Sequence, residues 1–443
     1  MVDDQAPGQV PHEHRRRMNV QTAHPKPEGP RGRILVVGGG IAGLTAAIEA
    51  AEAGCNVMLV ERAPHLGGRV AQLHRYFPKL CSPLCGLELN LRRLRAGQHL
   101  ECLTLTKVRD VAEAPDGLRV ALRQNPRFVT ERCTTCGACT RACPVRRPNS
   151  FDYGMCDTEA IYLPHATAHP ALYVIDASVC PGASCALCVK ECPVDAIDLS
   201  IPPRDFEISV NAVIWATGWH PYDPVALRDL GFGSHPDIIT NVMMERLASP
   251  QGPTGGRIVC PSDGREPKRV AFVQCAGSRD ESHLEYCSSV CCLASAKQAR
   301  YVREASPDID ITIHYIDRRA AGSYERFLAD TADDAKTHFL LGKVAKINVA
   351  NGLPVLEFED IAANRLATRT ADLVVLATGM VPEGDDTAAC PKLERDTNGF
   401  LIDSHPGSRQ FPAGCARQPM DVASSVRDAT SAVAKALAVC PLG

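Results

Sequence analysis

Apolar residues in this chain gather in short runs that end in glycine. Ile34–Val37 is the first, and it leads into Gly38-Gly39-Gly40-Ile41-Ala42-Gly43. Good helix formers follow as far as Ala53, and Gly54 stops them. A second run, Val57–Val60, ends at Glu61. The pattern predicts a strand, a tight turn, a helix and a second strand. Two later runs, AVIWATGW (Ala212–Trp219) and LVVLATGM (Leu373–Met380), share a strand that ends in Ala-Thr-Gly. Between them VAFVQCAGSRD (Val270–Asp280) opens a second α/β unit over about residues 255–371. Near the end, FPAGCARQPMDVASSVRDATSAVAKAL predicts a turn and then a helix that starts around Met420 to Val422.

The first turn has the form G-x-G-x-x-G in a strand–turn–helix context, with an acid about 20 residues further on. Such glycines let the backbone approach a pyrophosphate at a helix N-terminus, where free N–H groups and the helix dipole favour anions. Glu61 is placed to accept from an adenosine ribose. Gly67-Gly68-Arg69 follows closely, as in flavoproteins with two dinucleotide-binding domains, where that turn packs along FAD. The Ala-Thr-Gly turns resemble those that return the chain to the flavin domain in such enzymes. The expected flavin contacts are Gly38, Gly40, Ile41, Ala42, Gly43, Glu61, Arg62, Gly68, Arg69, Ala216, Thr217, Gly218, Gly379, Gly414, Asp421 and Val422. Cys415 stands where an acid usually follows the Ala-Gly of the last segment. In the second unit Gln274-Cys275-Ala276-Gly277-Ser278-Arg279 replaces a second glycine motif. One glycine does not allow the approach that three provide, so NAD(P)H is not expected there.

Twenty-one cysteines change the picture most. CTTCGACTRACP holds Cys133, Cys136, Cys139 and Cys143, and CPGASCALCVKECP holds Cys180, Cys185, Cys188 and Cys192. The first has the bacterial ferredoxin spacing for a [4Fe–4S] cluster, and the second differs only in its wider opening. Because the fourth cysteine of such a run ligates the other cluster, Cys133, Cys136 and Cys139 group with Cys192. Cys180, Cys185 and Cys188 then group with Cys143. A zinc ribbon accounts for four cysteines but poorly for eight in this order. A third group, Cys275, Cys287, Cys291 and Cys292, reads C-x11-C-x3-C-C. Cys287 and Cys291 are expected on one face of a helix. Spacing alone leaves open whether these four hold a third cluster or are buried apolar cysteines. Cys81 and Cys85 fall in a proline-flanked loop after the flavin turn, as further ligands, a dithiol or packing. His165 and His169 are expected at the surface. Arg279 is expected either against a redox group or in a surface ion pair.

A chain of 443 residues suits several domains with their own cores. The net charge of −3 argues against a nucleic-acid binder and a polybasic membrane anchor. No apolar run approaches the roughly 20 residues of a spanning helix, so membrane contact is expected only through partners. The first 30 residues carry no secretory signal, and residues 1–32 are expected to form a disordered arm. A reducing cytoplasm suits thiols that hold clusters. The expected organisation is a flavin domain (33–125), a ferredoxin insert (126–205) and a return segment (206–254). A second Rossmann-like unit (255–371) and a final flavin segment (372–443) complete it. The fold class is α/β, a thioredoxin-reductase-like flavoprotein with two dinucleotide-binding domains and an inserted two-cluster ferredoxin.

The flavin glycines, YFPKLCSPLCGLELN, the inserted ferredoxin, FDYGM, IWATGWHPYD, ITNVMMERLASPQGPTGG, AFVQCAGSRD, the Cys-Cys pair and GCARQPMDV resemble the A subunits of heterodisulfide reductases over about residues 32–440. Within that group they look most like the A subunits of quinone-interacting membrane-bound oxidoreductases. The resemblance implies FAD, two [4Fe–4S] clusters and a third at Cys275, Cys287, Cys291 and Cys292. It implies two partners on the cytoplasmic face of the inner membrane: a homologous flavoprotein (the B subunit) and a haem- and iron–sulfur-bearing membrane protein (the C subunit). It implies electron relay between menaquinone and adenylylsulfate reductase in dissimilatory sulfur metabolism. The other readings are disulfide reduction or flavin-based bifurcation, a cluster-bearing scaffold or sensor, and an NAD(P)H reductase like a glutamate synthase small subunit. The missing second glycine motif speaks against the last of these.

Overall fold

In a computed structural model the described residues are 32–384, 393–403 and 407–441. The expected N-terminal arm lies outside them except for Gly32. Two parallel five-stranded sheets organise the chain. The first runs Gln410–Pro412, Ala212–Trp215, Arg33–Val37, Asn56–Glu61, Leu100–Thr104 in spatial order. Its strands are apolar on both faces because both faces are covered. Ile34, Val36, Leu59 and Ile214 pack beneath helices Ile41–Glu52, Pro83–Ala96 and Val422–Ala438. Leu35, Val37, Val60 and Trp215 pack against an antiparallel sheet of Thr106–Ala114, Gly117–Gln124 and Arg204–Val210. Each fully buried aliphatic side chain there contributes about 1.5–3 kcal/mol.

The cysteine-rich insert leaves this antiparallel sheet after Gln124 and re-enters it at Arg204, two residues before the expected boundary. Its own small core holds Val129, Ile161, Tyr173, Ile175 and Ile197 among the thiols.

The second sheet repeats the plan in the order Ile238–Thr240, Leu373–Thr378, Arg269–Ala276, Asp310–Tyr315, Thr337–Leu341. Helices Asn241–Ala248 and Cys291–Ala305 cover one face, and Val344–Ala350, Leu353–Asp360 and Arg365–Thr370 form an antiparallel sheet on the other. This unit is larger than the expected 255–371. Ile238–Thr240 pairs with Leu373–Thr378, which pairs with Arg269–Ala276, so parts of the segments assigned to the flavin domain belong here. An apolar strand flanked by turns carries no mark of which sheet it joins. The two Ala-Thr-Gly strands therefore lie in different sheets. Their exits meet in an antiparallel pair, Trp219–Pro221 with Met380–Pro382, at the junction of the two units.

Candidate functional site

A cavity of about 480 Å³ opens where both units and the insert meet. That is within the roughly 300–1,000 Å³ of ligand pockets. From the first unit its wall takes Gly38, Gly40, Ile41, Ala42, Glu61, Arg62, Gly68 and Arg69. Ala216, Thr217 and Gly218 come from the first return turn, and Asp421 and Val422 from the last helix. Gly43, Gly379 and Gly414, also expected as contacts, lie outside the lining. A Cβ on Gly43 would sit 1.7 Å from the Gly38 carbonyl oxygen, and one on Gly414 2.8 Å from Ala42 Cβ. Gly379 packs against Ser278, Leu284 and Ser288 of the second unit. These three allow close packing of the turns behind the cavity.

The wall fits a dinucleotide. Gly38 adopts φ 106° beneath the carbonyl of Ala216, where a Cβ would clash at 2.3 Å. At Gly40 the nearest protein atom to an added Cβ is 3.9 Å away, so the protein itself does not need that space. Gly40 caps helix Ile41–Glu52 with no side-chain hydrogen bond, leaving the first-turn N–H groups to a ligand. Glu61 accepts from the Gly39 N–H at 2.6 Å and the Ala63 N–H at 2.7 Å, which fixes its carboxylate at the cavity edge. A carboxylate is the acceptor that a ribose diol requires. Buried Thr217 Oγ1 and Gln298 Oε1, in side chains of the wall, lack a partner. Arg62 is ion-paired with Glu383. Burial opposes that carboxylate's charge, but the Arg62 hydrogen bond and charge hold its pKa below the ordinary value.

Other wall residues gave little sequence signal. From the second unit come Asn241, Glu245, Val290, Ala294, Lys297 and Gln298. Val290, Ala294, Lys297 and Gln298 follow one stripe along the start of helix Cys291–Ala305. Lys297 and Glu245, 3% and 4% exposed, form an ion pair at 3.0 Å. Gln298 Nε2 donates to the Glu245 carboxylate at 2.6 Å, and Tyr301 OH donates to it at 3.3 Å. A lysine on the same stripe as Val290 and Ala294 was the available signal. From the insert come Asn149, Ser150, Phe151, Tyr162 and Pro164. The insert is fastened there by a buried Asp152–Arg246 ion pair at 2.7 Å and by Gln72 Nε2 donating to the Phe151 carbonyl at 2.9 Å. His165 is half-buried rather than fully at the surface. It stacks on Phe151 at 4.6 Å and meets His65 edge-on at 4.8 Å, and burial lowers its pKa to about 3.

Beyond Tyr162 the insert brings the two ferredoxin groups together around separate small cavities. Cys133, Cys136, Cys139 and Cys192 ring one. Cys143, Cys180, Cys185 and Cys188 ring the other. Among the described residues no group of three or more His, Cys, Asp or Glu is placed to hold a metal ion. Four cysteines around each cavity supply the ligand count of a [4Fe–4S] cluster. Backbone N–H groups already point at sulfur: Thr135 to Cys133 at 3.5 Å, Gly182 to Cys180 at 3.5 Å and Ala196 to Cys192 at 3.2 Å. Such donors stabilise thiolate and tune a cluster. Burial pushes the Cys139 thiol up to about 11, so ligation would have to displace its proton.

The third group also converges, with one change from expectation. Helix Cys291–Ala305 begins at Cys291, so Cys287 precedes it and the two do not share a helical face. Cys275, next to last in strand Arg269–Ala276, has φ 55° within a register shift. Burial raises the pKa of Cys275 to about 11, and the neighbouring sulfurs act in the same direction. Ser289 N–H points at Cys287 Sγ at 3.4 Å, and Arg319 N–H at Cys292 Sγ at 3.5 Å. Arg279 is ion-paired with Asp317 beside Cys275. A loop of residues 277–290 separates strand from helix where a nucleotide-binding unit has a tight glycine turn. Cys81 and Cys85 are exposed at the start of helix Pro83–Ala96 and join neither cavity.

Comparison with known proteins supports the flavin region and the ferredoxin region. Residues 33–80 match the FAD dependent oxidoreductase family and residues 126–146 the 4Fe-4S binding domain. The A subunit of the ferredoxin/F420H2-dependent CoB-CoM heterodisulfide reductase of Methanosarcina acetivorans is 36% identical over 425 residues, 93% of this chain and 53% of that protein. The A subunit of the H2:CoB-CoM heterodisulfide,ferredoxin reductase of Methanothermobacter marburgensis is 35% identical, over 91% of this chain and 63% of that protein. The chain carries an FAD-dependent oxidoreductase region and a 4Fe-4S binding region, and over more than nine tenths of its length it is similar to the A subunits of heterodisulfide reductases. It spans between about half and two thirds of the length of these relatives. Lactococcus lactis thioredoxin reductase superposes over 92% of the chain and 98% of its own length with a TM-score of 0.51 at 12% identity, a likeness of fold alone. No helix among the described residues is long and apolar enough to cross a membrane.

Proposed function

We propose that this chain is the electron-distributing component of a heterodisulfide-reductase-like complex, with FAD in the central cavity, two [4Fe–4S] clusters in the insert and a third at Cys275, Cys287, Cys291 and Cys292. The observation that carries this is the make-up of the cavity wall. Cysteine-bearing units flank it on two sides: the insert through Phe151 and Tyr162, and the third group through Val290, which directly precedes Cys291. FAD exchanges electrons in pairs or singly, and a cluster carries one at a time. A site between two one-electron branches suits the splitting of a pair, as in disulfide reduction or flavin-based bifurcation. The chain's own contribution is to exclude water, fix the distances and hold charge. Lys297, paired with Glu245, keeps a cation and donor protons at the wall.

The relatives are A subunits of reductases, which supports partner subunits here as well. A finer reading is relay between menaquinone and adenylylsulfate reductase, with a flavoprotein B subunit and a haem-bearing membrane C subunit at the cytoplasmic face. It rests on the segments YFPKLCSPLCGLELN and ITNVMMERLASPQGPTGG. The comparisons favour the heterodisulfide-type reading. Iron and flavin content per chain test the proposal: one FAD with about twelve irons is expected, and about eight removes the third cluster. Cys292→Ser should lower iron by about four and leave the ferredoxin signals. Four irons or none in the wild type refutes the assignment. Oxidation of the reduced protein by adenylylsulfate reductase, with no response to a heterodisulfide, would favour the finer reading.

A further inference from the structure

Two neighbouring residues of one strand join two of the cavities. In Ile161–Tyr162 successive side chains point to opposite faces. Ile161, 1% exposed, is in the wall ringed by Cys143, Cys180, Cys185 and Cys188. Tyr162 is in the wall of the flavin-sized cavity. Neither thiol wall shares a residue with the flavin-sized cavity, but the wall around Cys133, Cys136, Cys139 and Cys192 also has no residue next in sequence to one that lines it, and Cys136 is exposed. We propose that the insert serves the flavin in a fixed order, with the Cys143/Cys180/Cys185/Cys188 site inside, the Cys133/Cys136/Cys139/Cys192 site outside, and Tyr162 as the positioning residue between flavin and inner site.

The ring of Tyr162 is held in place. Its strand pairs with Val174–Ile175, and the Arg147 guanidinium lies over the ring 4.2 Å from its centroid. Arg147 is only 11% exposed and lies 3.4 Å from the Asp176 carboxylate. Arg147 follows Val145 of the inner wall by two residues, so the ring is clamped by an ion pair anchored next to that wall. The accounting is simple. A flavin reduced by two electrons gives one to the oxidised inner cluster, which passes it outward and is reoxidised. A second passage leaves the flavin oxidised and its protons released. The terminal acceptor is a one-electron iron–sulfur carrier docked over Cys136; with such a carrier as donor the same steps run inward.

The order rests on the assignment of FAD and clusters above, and iron content, measured first, separates the two. In the full chain loaded with FAD and iron, flavin is reduced by light with EDTA as the sacrificial electron donor, and each cluster is followed by electron paramagnetic resonance. Cys136→Ser should leave reduction of the inner cluster unchanged. Cys185→Ser should leave an outer cluster that dithionite reduces but flavin does not. Tyr162→Ala should slow flavin-to-cluster transfer by at least about tenfold, or about 1.4 kcal/mol of barrier, and shift the flavin absorption bands. Tyr162→Phe should restore both. Iron content should be the same in both Tyr162 variants. Unchanged flavin-driven reduction of the outer cluster in Cys185→Ser, or an unaltered rate and spectrum in Tyr162→Ala, overturns the order. A wild type with flavin but no iron overturns both the order and the assignment beneath it.

Discussion

Alanine at Gly40 and alanine at Gly43 should have opposite consequences, although both glycines belong to one turn. A Cβ at Gly43 would lie 1.7 Å from the Gly38 carbonyl oxygen. Gly38 cannot give way, because its own backbone is pressed against Ala216. Overpacking of this kind costs about 1–3 kcal/mol or more. Gly40 differs. Its φ of −75° suits any residue, and the nearest atom to a Cβ is 3.9 Å away. Alanine is the poorer N-cap by on the order of 0.5–1 kcal/mol. Reduced freedom of the unfolded chain returns about 0.4–1 kcal/mol. The apoprotein should therefore be nearly as stable as the wild type. FAD should not bind as well, because the new methyl occupies the path of a phosphate. Losing one such charge-assisted hydrogen bond, at about 1.5–3 kcal/mol, weakens binding by about ten- to a hundredfold. Urea denaturation of the apoproteins and titration of flavin fluorescence check the two halves separately. A Gly40→Ala protein that binds FAD normally would refute the reasoning, as would one whose apo form loses several kcal/mol.

Asp152→Ala removes one partner of a buried ion pair with Arg246, so a loss of about 3–5 kcal/mol is expected, with earlier proteolysis of the insert in the same protein. Lys297→Met should destabilise through the unpaired Glu245 carboxylate and make the bound flavin harder to reduce, which a potentiometric titration reads. His314 is 1% exposed with no partner on either ring nitrogen, and burial lowers its pKa from 6.5 to about 4. The unfolded chain then binds a proton that the folded one refuses. Its contribution is whole above about pH 6.5 and is lost as pH falls toward 4, at up to about 1.4 kcal/mol per pH unit. His314→Phe should flatten the stability profile over that window in urea titrations, and an unchanged slope would exclude this source.

Local chemistry was legible wherever it depends on short spacing. The turn Gly38–Gly43 had to be a turn of this kind, since only glycine lies under the Ala216 carbonyl at φ 106°. The eight cysteines of the insert announced two four-thiol groups, because adjacent thiolates must wrap one object at fixed offsets. Tertiary structure decided what spacing cannot carry. Leu373–Thr378 reads like a flavin-domain strand yet pairs with Arg269–Ala276, because an apolar run buried on both faces fits either sheet equally. Cys287 falls outside the helix that its offset from Cys291 suggested, since a pattern does not fix where a helix starts. Lys297, Glu245 and Tyr162 had no motif at all. They reach the cavity only because three separate stretches of chain dock around it, and contacts between distant stretches leave no period in the sequence.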